Sequence, residues 1–98
     1  MTDESLQTAL AIMKTRLNRT QANTALDETA LMPRLRAAAQ ELAGVRGIIL
    51  QDTDSDILFL VDYATWRYQN RDKPDAMPKW LRMDLRERYL HQPRGGSA

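Results

Sequence analysis

The chain contains no cysteine, one histidine, His91, and only one phenylalanine. Without cysteine, disulfides and thiolate metal sites are excluded, and a lone histidine argues against a classical zinc site. Glycine is scarce, and Gly44, Gly47, Gly95 and Gly96 form no phosphate-cradling loop. No apolar run approaches the ~18 residues of a membrane span, and the opening MTDESLQTAL is acidic where a secretory leader needs basic residues. The expectation is a soluble, intracellularly made protein with no membrane contact. A strong charge of either sign is also missing. The formal net charge is +1, whereas a dedicated nucleic-acid binder normally carries a clear basic excess.

What remains is a 98-residue chain, 43% hydrophobic and 28% charged, which fits one globular domain over residues 1–92. The tail QPRGGSA reads as disordered, its domain-free part being residues 93–98. So small a domain buries a modest share of its surface, and partner subunits are the remaining source of extra burial.

Helical periodicity divides the domain. Leu6, Leu10, Met13 and Leu17 share one face of a first helix over Ser5 to Leu17, with Asp3 as its cap and Asn18 as its stop. NRTQAN, Asn18 to Asn23, is polar, lacks periodicity and reads as a loop. A second helix beginning near Asp27 turns Leu31, Leu35, Ala38, Ala39 and Leu42 inward and ends by Gly44. Pro33 either kinks it after its first turn or moves its start to Met32. GVRGIIL then predicts a turn and a short extended segment near residues 47–51, left irregular or paired with another chain. The third helix starts at Asp52, Asp54 and Asp56 and runs to about Arg71, and a fourth runs from about Pro78 to His91. The predicted fold class is all-α, four helices in a compact bundle with one short extended segment.

Four of the six aromatics fall within Val61 to Leu81. Ile57, Val61, Ala64 and Tyr68 form one stripe of the third helix, and Phe59, Tyr63 and Trp66 another. Only Ser55, Asp62, Thr65 and Gln69 leave a polar strip. A helix apolar over most of its circumference is covered from more than one side. Either it lies at the centre of the subunit, or its aromatic stripe meets a neighbour.

The sharper chemical readings fare less well. Asp52, Asp54 and Asp56 have the spacing of a calcium loop, but Ile57 and Tyr63 stand where that loop needs glycine and glutamate. His91 lies at a frayed helix end with no nucleophile beside it. No catalytic residue, metal ligand or cofactor is assigned. On the last helix Lys79, Trp80, Arg82, Arg86 and Arg88 could contact phosphate and stack on a base, yet Asp84 and Glu87 are interleaved and Asp84 is placed to pair with Arg88.

DILFLVDYATWRYQNRDKP leading into AMPKWLRMDLRERYL is similar to the small head-tail connector, or head-completion, proteins of tailed phages and prophages. The likeness spans roughly residues 5 to 92. Its most telling positions are Asp62-Tyr63-Ala64 followed by Trp66, Tyr68 and Arg71, then Met77-Pro78 and Leu81. The resemblance implies a mostly helical structural protein without catalytic activity, made in the bacterial host cytoplasm and placed at the head-tail junction of the virion. It also implies a homo-oligomeric ring against a portal protein and a tail-completion protein, with DNA passing through the channel without sequence recognition. Trp66, Tyr68, Arg71, Trp80, Arg82, Arg86 and Arg88 are the expected interface with the next subunit or the portal. The alternative expectation is a small DNA- or RNA-associated regulatory protein using the last helix.

Overall fold

The computed structural model describes residues 1–20, 28–70 and 77–92. It shows the all-α architecture, with α1 at Asp3–Thr20, α2 at Glu28–Gly44, α3 at Asp54–Gln69 and α4 at Lys79–His91. No strand occurs among the described residues.

The first helix begins earlier and ends later than its periodicity suggests. Thr2, not Asp3, is the cap: its Oγ1 accepts the Ser5 N–H at 3.2 Å. Asp3 and Glu4 then lie in the first turn, where carboxylates suit the positive end of the helix dipole. The helix continues to Thr20, so residues 18–20 of the predicted loop are helical. Nothing in Asn-Arg-Thr forbids helix, since polarity alone is no stop signal and neither proline nor glycine intervenes. Residues 21–23 of that loop lie outside the described residues. Leu6, Ala9, Met13 and Leu17 form the buried face, with Leu10 only partly covered.

The predicted Asp27 cap of the second helix also lies outside the described residues. Helix α2 is already formed at Glu28, which rules out a start at Met32, and Pro33 sits inside it on the exposed side. Its missing N–H removes only a bond back to the first turn, so the cost falls near the helix start. Leu31, Leu35, Ala38 and Leu42 are buried as the spacing requires.

Gly44 stays helical and the reversal is made at Gly47, at φ +69°. There the Ile48 N–H donates back to the Leu42 carbonyl at 2.8 Å. Residues 47–51 are irregular, with Ile48 and Leu50 turned inward and Ile49 outward. Two more of their donors are met within the subunit: Ile49 N–H by Gln92 Oε1 at 3.0 Å and Gln51 N–H by Asp56 Oδ2 at 2.7 Å.

Thr53 caps α3, its Oγ1 accepting from the Asp56 N–H at 3.2 Å, and the helix closes at Asn70. Arg71, the predicted end, lies outside the described residues. Helix α3 packs against both α1 and α2, which also pack against each other. The first predicted stripe, Ile57, Val61, Ala64 and Tyr68, is therefore buried within the subunit, as are Phe59 and Tyr63 of the second, with Leu60 between them, while Trp66 of the second is only partly buried. Ile57, Val61, Leu60 and Phe59 each contribute ~1.5–3 kcal/mol on leaving water. Helix α4 opens at Pro78, whose carbonyl accepts from the Leu81 and Arg82 N–H groups, and it buries only Leu81 and Leu85.

Candidate interaction surface on the last helix

The residues expected at an interface separate into three groups. Tyr68 is buried, with the Arg34 guanidinium 5.2 Å from its ring centroid, and belongs to the core. Trp66 is partly buried against the core, its ring centroid 6.0 Å from that of Tyr63. Arg71 lies outside the described residues.

Arg88 is turned inward. Its side chain is 20% exposed, pairs with the Asp56 carboxylate, bonds Asp84 Oδ1 at 3.0 Å, and donates to Ser55 Oγ at 2.7 Å and the Ser55 carbonyl at 3.1 Å. The planar guanidinium also lies over the Phe59 ring, its carbon 4.5 Å from the centroid. Arg88 thus fastens α4 to the start of α3. The predicted Asp84–Arg88 pair exists, but as one arm of a larger tie.

Trp80, Arg82 and Arg86 are exposed. Trp80 is 58% exposed, and Met83 and Leu90 on the outward side of the same helix are equally so. Such a row of large apolar side chains, beside arginines, has the composition of an interface centre rather than of an idle surface. Met83 and Leu90 escaped the sequence reading. Their signal was the spacing Trp80, Met83, Glu87, Leu90, which puts a second apolar edge on a helix whose inward edge is already Leu81 and Leu85.

Beside α4 lies a groove of about 650 Å³. One wall is the reversal after α2, with Val45, Arg46 and Ile48. The other is α4, with Arg82, Leu85, Arg86 and Tyr89, and Met77 closes the row. A separate hollow of about 380 Å³ lies between α2 and α3. Glu41, one of its lining residues, accepts from the Tyr63 hydroxyl and from Arg67 Nη2 at 2.9 Å. Burial, and then the Glu41 bond, push the Tyr63 phenol above its ordinary value, while Arg46 opposes them.

The acidic cluster is dispersed among structural tasks. Asp52 accepts the Thr2 N–H at 2.7 Å, and Asp56 accepts from Gln51 while pairing with Arg88. The Thr2 backbone bond, followed by the Ser5 side chain, holds Asp52 below the usual carboxylate range. His91 is exposed and lies 3.2 Å from Glu87 one turn back. No helix among the described residues is long and apolar enough to cross a membrane. No protein-family model, curated protein or solved structure matches the chain.

Proposed function

We propose that the chain is a non-enzymatic structural adaptor of a phage or prophage particle, assembling as a ring between portal and tail. The portal protein and a tail-completion protein are its neighbours, and DNA passes through the ring without sequence recognition. Its place is the head-tail junction of the virion, after synthesis in the host cytoplasm. Beside the resemblance over roughly residues 5 to 92, whose most telling positions run from Asp62 to Leu81, one structural observation supports the reading. Helix α4 is held by its inward face while Trp80, Met83 and Leu90 remain in water next to Arg82 and Arg86. Tryptophan and arginine dominate binding energy at protein interfaces when a partner desolvates them.

The nucleic-acid alternative rests on fewer residues than the sequence implied. With Arg88 drawn inward, its basic face reduces to Lys79, Arg82 and Arg86. Phosphate contacts lose affinity steeply with salt, so a mobility shift over a salt series separates the two readings.

The decisive experiment deletes the gene from an inducible phage or prophage that carries it. The expected product is heads that fail to join tails, seen by negative-stain microscopy and rescued by the wild-type chain but not by Trp80→Ser/Met83→Ser. Tailed infectious particles at undiminished yield after deletion would overturn the reading.

A further inference from the structure

We infer that the groove between the α2 reversal and α4 is a docking site for an acidic protein segment that carries an apolar anchor side chain. The inference rests on the adaptor reading for its premise that α4 faces a protein, and it names the chemistry of what that protein presents.

Three arginines, Arg46, Arg82 and Arg86, stand around the groove, and no carboxylate is among its lining residues. That imbalance is local. Elsewhere on α4, Asp84 pairs with Arg88, and Glu87 lies 3.2 Å from His91. Arg82 and Arg86 make no ion pair with any described residue, and they lie four residues apart on one helix face, where like charges repel. A carboxylate-bearing partner relieves that repulsion and supplies the acceptors that guanidinium forks bind in pairs. Arg46 lines the opposite wall of the same groove and is placed to join them.

The floor decides between protein and nucleic acid. Ile48 and Leu85 are buried at its base, Met77 is partly buried, and Val45 is 78% exposed at its lip. A sugar-phosphate chain gains nothing from an aliphatic floor, whereas a leucine or phenylalanine side chain does. Apolar centre and cationic rim together match an acidic segment with one or two apolar side chains facing inward.

The test uses the full chain as bait for a displayed library of random peptides. Enriched peptides are expected to carry aspartate or glutamate around an aliphatic or aromatic residue. In fluorescence anisotropy, a synthetic peptide of that kind should bind about tenfold more weakly when its anchor is changed to serine. A loss of at least ~10-fold is also expected for Arg82→Glu/Arg86→Glu and for Val45→Asp, each folded by circular dichroism. Raising the salt to ~0.5 M should weaken binding further. Enrichment of neutral or basic peptides, no enrichment, or binding that survives both variants would each overturn the inference. So would displacement of the peptide by single-stranded DNA of equal affinity, which reassigns the groove to nucleic acid. A groove that fails these tests while gene deletion still leaves tailless heads refutes the docking site and spares the adaptor reading. Tailed particles after deletion, with the peptide results as expected, do the reverse.

Discussion

The Arg88 guanidinium covers the Phe59 ring while pairing with Asp56, one turn of α3 earlier. The contact fuses packing and charge in one side chain, at the only place where an ion pair joins α4 to α3 among the described residues. Arg88→Ala is expected to destabilise the protein by ~2–3 kcal/mol, because it leaves Asp56 without its charge-assisted partner and uncovers the ring. Arg88→Lys should fall between, keeping the charge but losing the planar fork. Urea melts of the three proteins decide the order, and equal stability of lysine and alanine variants would reduce the role of charge to nothing.

A second expectation is alkaline. The Tyr63 phenol is held above its ordinary value of about 10, chiefly by burial and next by Glu41. A raised folded-state value means that this contribution to stability is complete below pH ~10 and is lost as the pH rises through the folded value. Tyr63→Phe should cost ~1 kcal/mol at neutral pH, since Glu41 keeps Arg67 as a partner. The gap between wild type and variant should then narrow above pH ~10. A gap that stays constant to the alkaline limit would detach the hydroxyl from the Glu41 network.

Asp52 gives the opposite limb. Its carboxylate is stabilised as an anion by the Thr2 N–H and then by Ser5, so the contribution is present above pH ~4 and disappears as the pH falls through the lower folded value. Asp52→Asn should be less stable than wild type at pH 7 and converge with it in strong acid. Thermal melts at the two pH values measure this, and a difference that persists in acid would mean geometry, not charge, ties α1 to the start of α3.

Gly47 and Gly44 make a paired test of backbone conformation. Gly47 lies at φ +69°, and a Cβ there would come within 3.3 Å of Tyr89 Cε1, so Gly47→Ala should cost ~1–2 kcal/mol. Gly44 has nothing within 4 Å of such an atom and is helical, so Gly44→Ala should be neutral or stabilise by up to ~1 kcal/mol. Denaturant midpoints that fell equally for both would show that the left-handed turn is not what Gly47 supplies.

The parts legible in the sequence are those carried by local periodicity. The inward faces of α1, α2 and α3, the stop near Gly44 and the opening of α4 at Pro78 all follow from spacing and punctuation. The Asp84–Arg88 pair follows from a four-residue interval. What escaped notice depends on partners distant in sequence. Nothing near Arg88 announces Phe59 and Asp56, so an inward-turned arginine looked like a surface one. Gln92 gives no sign that it will satisfy Ile49. Trp66 and Tyr68 lie two residues apart on one apolar helix, yet Tyr68 is buried and Trp66 only partly so, a difference that spacing within the helix does not announce. The groove was invisible for the same reason: Arg46 and Arg82 meet only when the chain reverses at Gly47.

Helix α4 is attached by Leu81 and Leu85, by the Arg88 tie and by Gln92, whereas α1, α2 and α3 enclose one another. Regions with few buried contacts open at lower free energy than the global transition. Amide hydrogens of α4 should therefore exchange through a partial opening that leaves α3 protected, and the element that presents Trp80 and Arg82 is the one the molecule can release without unfolding. A partner seated on α4 then acts as a latch, and its arrival should be read as slowed exchange along residues 79–91.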